Sequence, residues 1–439
     1  MFEKIKKNIP VLRGLYCENQ KIMEFLKDSE YENQILAEQI INKRLKDKME
    51  HNEKINVLFV CHRPAIWSSL QSVLETMLGD KAFDIKVVSI PVKKSNIKGK
   101  ETDDIYESEG AEEFFKKYDS INGYDYNKNK WLDIKDLNPD YVFFQQPYNT
   151  TRPFYYKSWV VSKYAKICYV PYAFDFIGGG VLEETTPSDF FKNVSFYFSQ
   201  NAVDDVLVNK VFQKQNNYYP KTVQSGFPRY DIIQRFRNLE SSVWNYARKH
   251  GKYRVLWTPR WCINEGNCSF FDYIKNFFDF IPANSCIDFV FRPHPQAFSY
   301  WLSSKLLSEN DINCIKEKFD ETENMSIDVR GEYFDTIFSS DFLISDTSSF
   351  MADYFLSGKP IIYCHKKDMF NDVSREMSKG FYWVDSWKDL KKTILMLVNG
   401  EDPLKEKRIE IINELRLYDR NKSASLCIKE YILNDARKC

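Results

Sequence analysis

From Asn56 onward, short apolar runs rich in β-branched and aromatic residues alternate with helix-like or polar segments, and this alternation is the tightest constraint on the fold. The first series comprises Val57–Val60, Ile85–Ile90, Tyr141–Phe144, Ile167–Val170 and Phe196–Phe198. A second begins at Tyr253 and comprises Val255–Trp257, Phe289–Phe291, Phe342–Ile344 and Ile361–Tyr363. Strands separated by helices predict parallel, doubly wound sheets. Two such series, joined near Asp231–Lys252, predict an α/β chain of two Rossmann-like domains facing across a cleft. A length of 439 residues, beyond what one core usually organises, agrees with this division. The expected boundaries are 1–53 for an N-terminal helical segment, 54–240 and 241–400 for the two domains, and 401–439 for C-terminal helices. Ligand is expected at the carboxyl ends of the strands, between the domains.

Before the first series, Asn19–Glu53 contains neither Pro nor Gly, and Ile22, Phe25, Leu26, Ile35, Leu36 and Ile40 recur at helical spacing. This predicts an amphipathic helix or helix pair packed on the first domain, with membrane-surface or oligomer contact as the alternative. The polar stretch Lys93–Lys130 reads as an insertion carrying one helix around Ala111–Tyr118.

Sixty-two basic residues balance sixty-two acidic ones, so no overall field favours nucleic acid, and any anion site must be built locally. The ten cysteines include no C-x-x-C pair, and several lie in apolar runs, which suits buried thiols in a reducing compartment. No stretch reaches the roughly 18 apolar residues of a membrane span. The expectation is a cytoplasmic protein, with the inner face of the membrane as the place of any peripheral contact.

The chemistry is concentrated where strands end. In Ile344-Ser345-Asp346-Thr347-Ser348-Ser349-Phe350 an apolar strand runs into an acid and three hydroxyl residues before a helix. Gly358 stands where a left-handed C-terminal residue belongs, and Pro360 opens the next strand. Such a turn directs backbone N–H groups towards a phosphate; plain N-capping by Asp346 or Ser348 is the alternative. Phe289-Val290-Phe291-Arg292-Pro293-His294-Pro295 delivers Arg292 and His294 at a second strand end. Arginine grips phosphate with a planar fork, and a protonated histidine neutralises charge or protonates a leaving phosphate. Here the alternative is an Arg–carboxylate pair and a turn histidine. Leu256-Trp257-Thr258-Pro259-Arg260-Trp261 ends a third strand with Thr258 and Arg260, and Gly226-Phe227-Pro228-Arg229-Tyr230-Asp231 adds Arg229.

Taken together, Gly226–Asp231, Thr258-Pro259-Arg260, Arg292-Pro293-His294-Pro295, Ser345–Ser349 through Asp353, and Lys359-Pro360-Ile361-Ile362 resemble the CDP-glycerol glycerophosphotransferase family over roughly residues 140–370. The resemblance implies a GT-B fold whose C-terminal domain holds a CDP-activated donor while the N-terminal domain presents the acceptor hydroxyl. It implies that His294 contacts the donor diphosphate, that Ser348 and Ser349 bind phosphate oxygens with Asp346 and Thr347 beside them, and that Asp353 lies near the ribose or glycerol. Thr258, Arg229, Arg260 and Arg292 join the donor-binding set. Polymerase members carry a His-Gly-Thr-Pro run with the presumed base; the counterpart here, Tyr169–Gly180, has no histidine. Asp175, before a triple glycine, and His62, at the end of the first strand, are the substitutes, with loop capping and a turn role as alternatives.

The expected reaction is attack of an acceptor hydroxyl on the β-phosphorus of CDP-glycerol or another CDP-alditol, releasing CMP, with a cell-surface glycan or phosphopolymer as acceptor. The tyrosine-rich Gln145–Tyr156 stretch is a candidate acceptor groove. No D-x-D run accompanies the donor motifs, so no metal or other cofactor is expected. The rival readings are a GT-B sugar transferase and a non-catalytic scaffold that binds polyanionic glycans.

Overall fold

The structure is a computed structural model and describes residues 32–93, 106–108, 110–176, 178, 189–213, 220–244, 253–331, 333–418 and 421–439. The N-terminal domain is built on strands β1 (Ile55–Cys61), β2 (Phe83–Ser89), β5 (Ile121–Asn122), β8 (Tyr141–Phe144), β9 (Lys166–Tyr169), β10 (Phe196–Ser199) and β11 (Lys221–Gln224). The polar insertion after β2 contributes two small antiparallel ribbons, β3 (Val92–Lys93) with β4 (Tyr106–Glu107), and β6 (Tyr124–Asp125) with β7 (Lys130–Trp131). It also carries the helix Ala111–Phe115, followed by a 3-10 turn at Lys116–Tyr118. The C-terminal domain is built on β12 (Tyr253–Thr258), β13 (Ile287–Phe291), β14 (Met325–Ile327), β15 (Phe342–Ser345), β16 (Ile361–Cys364) and β17 (Tyr382–Val384).

Both large sheets are wholly parallel, with orders β11-β10-β9-β8-β1-β2-β5 and β14-β13-β12-β15-β16-β17. In each, the order reverses beside the first strand of the domain, which opens a crevice at the carboxyl edge. The central strands of both sheets are covered on both faces. Val57 and Phe59 point into one core with Phe143 and Phe198, while Leu58 and Val60 point into another with Val142 and Phe144. In the second sheet Val255 and Trp257 face one core and Leu256 the other.

The expected N-terminal helix occupies 32–50 within the described residues, which exclude Ile22, Phe25 and Leu26. Its buried stripe is displaced from the one read in the sequence: Ala37, Ile41 and Leu45 pack inward, whereas Leu36 and Ile40 are exposed. The polar anchors explain the shift, because Arg44 and Lys48 from this helix both pair with the buried Asp140 at 2.9 and 2.7 Å. Those contacts rotate the 37/41/45 face onto the sheet.

Two chain passages connect the domains. On the outward path the helix Pro228–Gln234, started by Pro at its first position after Gly226 (φ +81°), inserts Tyr230, Ile232 and Ile233 into a core shared with Leu256, Val290, Met351 and Tyr354. Phe174 and Phe176 from the loop after β9 enter the same core. On the return path the C-terminal helix Ala424–Lys438 lays Ile428, Ile432 and Ala436 against Val57, Leu45 and Val73 of the N-terminal domain. Among the described residues, no helix is long and apolar enough to cross a membrane.

Candidate active site

The strand ends that carry the donor motifs are neighbours. β12 lies between β13 and β15, so Thr258, Arg260, Arg292, His294 and the Ser345–Ser349 turn emerge side by side at one carboxyl edge. Thr258 pairs in register with Ser345; its Oγ1 donates to Ser345 Oγ at 2.9 Å, and Ser345 Oγ donates to the Thr258 carbonyl at 2.8 Å. Both are buried, so Thr258 fastens two strand ends together.

Asp346 does not cap the helix after it. Its carboxylate is fully buried and accepts from Arg260 N at 2.9 Å, from Ser269 N at 2.8 Å and from Ser269 Oγ. It is a strut that holds the Arg260 loop. The Arg260 guanidinium then donates from Nη1 to the Thr347 carbonyl at 2.8 Å and pairs through Nε with Glu265. Thr347 Oγ1 lies 2.7 Å from Tyr363 Oη, beneath the surface. Ser348 keeps a buried hydroxyl oxygen without a hydrogen-bond partner, and Ser349, exposed, sits at the start of the six-residue helix Phe350–Phe355 without capping it by its side chain. An unsatisfied hydroxyl at a strand end, beside an arginine, is a place where an anionic oxygen is welcome. Gly358, at φ +72°, makes the left-handed exit expected of it.

Burial pushes the Asp346 carboxyl up to about 6, against the pull of the Ser269 and Arg260 hydrogen bonds. Its folded value lies above the unfolded one, so the folded state holds the proton more tightly between about pH 4 and pH 6. Stability from this group is therefore lost as pH rises through that window, by about 3 kcal/mol in full. Asp346→Asn keeps an acceptor for the two N–H groups and cannot ionise. Urea titrations are expected to show the variant gaining about 3 kcal/mol relative to the parent between pH 4 and pH 7; a difference that stays flat across this range contradicts the buried, titrating carboxyl.

His294 rests its ring on Trp261, with centroids 5.4 Å apart and planes 21° apart, and Nδ1 accepts from Gln296 N at 3.2 Å. This leaves Nε2 as the nitrogen for a ligand. Burial, then the nearby Arg260 charge, lower its pKa and favour the neutral imidazole. An anion drawn in beside Arg260 reverses part of that shift.

Arg292 is arranged otherwise. Its Nη1 donates to Asp328 at 2.6 Å, its Nη2 to the Arg330 carbonyl at 2.6 Å, and its guanidinium carbon lies 5.1 Å from the Tyr333 ring centroid. Arg229 binds Asp353 with Nε 3.2 Å from both carboxylate oxygens and Nη2 2.9 Å from Oδ2, while Tyr333 Oη donates to the same oxygen at 2.9 Å. Arg229 also reaches Ser68 of the N-terminal domain. Arg292, Tyr333, Asp353 and Arg229 thus form a second polar cluster whose charges are paired within the protein and which bridges the domains. Asp353 is 4% exposed, and this carboxylate is spent on the arginine.

Across the cleft, His62 is buried at the end of β1, with Nε2 2.7 Å from Gln146 Oε1. Burial, then the Arg152 and Arg63 charges, lower its pKa to about 4. Gln145 accepts from His62 N and Arg63 N at 2.8 and 2.9 Å, so the glutamines after β8 brace the β1 loop. Asp175 is half-buried in the loop after β9. Its N–H donates to Gln200 Oε1 at 3.4 Å, its carbonyl accepts from Asn371 of the other domain at 2.8 Å, and Gly178 N donates to the Met369 carbonyl at 2.8 Å. Gly179 and Gly180 lie outside the described residues. In the tyrosine-rich stretch, Tyr148 Oη meets Tyr172 Oη at 3.1 Å at the cleft edge, whereas Tyr156 is core and Arg152 is buried over Phe144.

Ser269 and Tyr333 are the residues that motif reading passed over. Trp261 directly follows Arg260 and carried a signal as an aromatic at a strand end. Ser269 and Tyr333 stand in loops with no local pattern.

The model of the family described as CDP-Glycerol:Poly(glycerophosphate) glycerophosphotransferase matches residues 185–383, which span all the donor-side strand ends. A comparison with curated protein sequences finds no match. Among solved structures, the S. aureus MnaA–UDP complex is similar over 87% of this chain and 97% of its own, with TM-score 0.55 and 12% identity. UDP-GlcNAc 2-epimerase from Neisseria meningitidis bound to UDP-GlcNAc covers 88% and 100%, with TM-score 0.54 and 12% identity. The wall teichoic acid polymerase TagF covers 94% and 98%, with TM-score 0.50 and 15% identity. At such identities the likeness establishes the two-domain GT-B fold.

Proposed function

We propose that this chain, whose residues 185–383 match the model of the CDP-glycerol glycerophosphotransferase family, is a transferase of that type and moves glycerol phosphate, or a related alditol phosphate, from a CDP-activated donor to a hydroxyl of a cell-surface glycan or phosphopolymer. The observation that carries this reading is the junction of Arg260, His294 and the Ser348 hydroxyl at three adjacent strand ends.

In the proposed step the acceptor oxygen attacks the β-phosphorus of the donor while the bond from that phosphorus to the bridging oxygen breaks, and CMP departs with the electron pair. Asp175 takes the acceptor proton. It is favoured over His62 because a histidine with a pKa near 4 and its Nε2 committed to Gln146 is a weak, shielded base. His294 Nε2 and Arg260 meet the charge that develops on the departing phosphate, and Asp346 holds the Arg260 backbone where it must stand. The Tyr148–Tyr172 edge suits a polyol acceptor, since its two hydroxyls sit on apolar rings.

The test is CMP release from CDP-glycerol, CDP-ribitol and nucleotide sugars, with and without short glycan or glycerol-phosphate acceptors. Acceptor-dependent release from a CDP-alditol is the expected result. Turnover of a nucleotide sugar alone would make the chain a sugar transferase, and glycan binding without turnover of any donor would make it a scaffold.

A further inference from the structure

One cavity among the described residues lies outside the cleft. It occupies about 900 Å³ at the back of the hinge, within the size range of small-molecule sites. Its walls come from both domains and from both connecting passages: the end of β11 at Gln224–Phe227, Asp231 and Arg237 of the outward passage, Leu356–Pro360, the helix Lys405–Glu414, and Arg416–Tyr418 with Asn421, Lys422 and Ala424 of the return passage. Gly358–Pro360 precede β16, so the cavity lies at the amino edge of the C-terminal sheet, whereas Arg260 and His294 follow their strands at the carboxyl edge.

Its charges are unevenly spent. The two lining carboxylates are occupied from within. Asp231 accepts from Ala424 N and Ser425 N at 3.1 and 2.8 Å, and Asp402 pairs with the fully buried Arg408 and accepts from Tyr382 Oη at 2.7 Å. Arg408 also holds the Gly358 carbonyl at 2.9 Å, which fixes that wall. Of the five lining cations, Lys422 pairs with Glu430 and Lys359 donates to the Phe338 and Ser340 carbonyls, but the other three have no carboxylate partner among the described residues. The Lys405 side chain has no hydrogen-bond or ion-pair partner among the described residues, and the Arg416 side chain donates only to the neutral Gln224, at 2.9 Å. Arg237 likewise has only the neutral Gln234 as a hydrogen-bond partner, at 2.9 Å. Between these cations run the apolar side chains of Phe227, Ile409 and Ile412. Cations from separate segments around an apolar floor match an anion attached to a short carbon chain, and an arginine fork favours phosphate.

We propose that the hinge cavity is a second binding site, for a phosphate group carried on a polyol, whether a free phosphomonoester or one unit of a phosphodiester chain. The site stands apart from the transfer reaction and does not depend on which donor the cleft takes.

Calorimetric titration of the full chain with inorganic phosphate, glycerol 3-phosphate and a glycerol-phosphate hexamer tests this. Binding of a polyol phosphate is expected, weakened tenfold or more in Lys405→Glu/Arg416→Glu, weakened several-fold in the milder Lys405→Gln/Arg416→Gln, and retained in Arg260→Ala. A tighter hexamer identifies the chain as the source, and equal affinities for hexamer and glycerol 3-phosphate identify the monoester. Circular dichroism melts of each variant keep misfolding from imitating the loss. The proposal is overturned if no probe binds, if inorganic phosphate binds as tightly as both polyol phosphates, or if affinity survives Lys405→Glu/Arg416→Glu and falls in Arg260→Ala.

Discussion

His294→Ala is expected to lower acceptor-dependent CMP release by roughly 10²- to 10⁴-fold, the range for a positioned proton donor at a leaving group. The loss should fall on kcat more than on KM, because Nε2 is aimed at charge that appears only as the diphosphate bond breaks. Stability should hardly move. The ring is exposed on one side, and its removal costs one stacking contact with Trp261 and one hydrogen bond from Gln296. A variant that unfolds with its activity loss, or one that turns over normally, would remove His294 from the chemistry.

Asp353→Ala is expected to destabilise the protein by about 3–5 kcal/mol, because it leaves the Arg229 guanidinium buried without its carboxylate. Arg229 lies on the outward passage and also reaches Ser68, so the damage should appear as loosening of the two domains before either unfolds. The measurements are the urea midpoint and the radius of gyration at low urea. Replacing both partners, as in Arg229→Met/Asp353→Leu, should recover much of the loss, since an apolar pair of similar volume avoids the desolvation cost. If Asp353→Ala changes donor affinity and leaves stability alone, the carboxylate serves a ligand instead of the arginine.

What the sequence disclosed follows from which forces are local. Runs such as Tyr141–Phe144 and Phe289–Phe291 are buried on both faces in parallel sheets, so they read as unbroken apolar segments and were legible. The strands Lys221–Gln224, Met325–Ile327 and Tyr382–Val384 lie at sheet edges; the first two mix polar with apolar residues and the third is only three residues long, which hides them. The candidate site divides the same way. Strand ends announced Arg260, His294 and Asp346, but what Asp346 does depends on Arg260 and Ser269, respectively 86 and 77 residues away. Arg292 and Asp353 carry the same lesson. Each stands in a motif, and each is drawn into an ion pair with a residue brought near only by the fold, 36 residues away at Asp328 and 124 at Arg229.

The return of the helix Ala424–Lys438 to the N-terminal domain has a consequence for synthesis. Ile428, Ile432 and Ala436 complete a core whose other members begin at Ile41, so the N-terminal domain cannot close its apolar face until Ala436 has been made. Domains generally fold as units, N-terminal first. Here the early domain waits, with one side of its sheet uncovered, through the synthesis of the whole second domain. A chain stalled anywhere in the second domain therefore carries a first domain that is also unfinished.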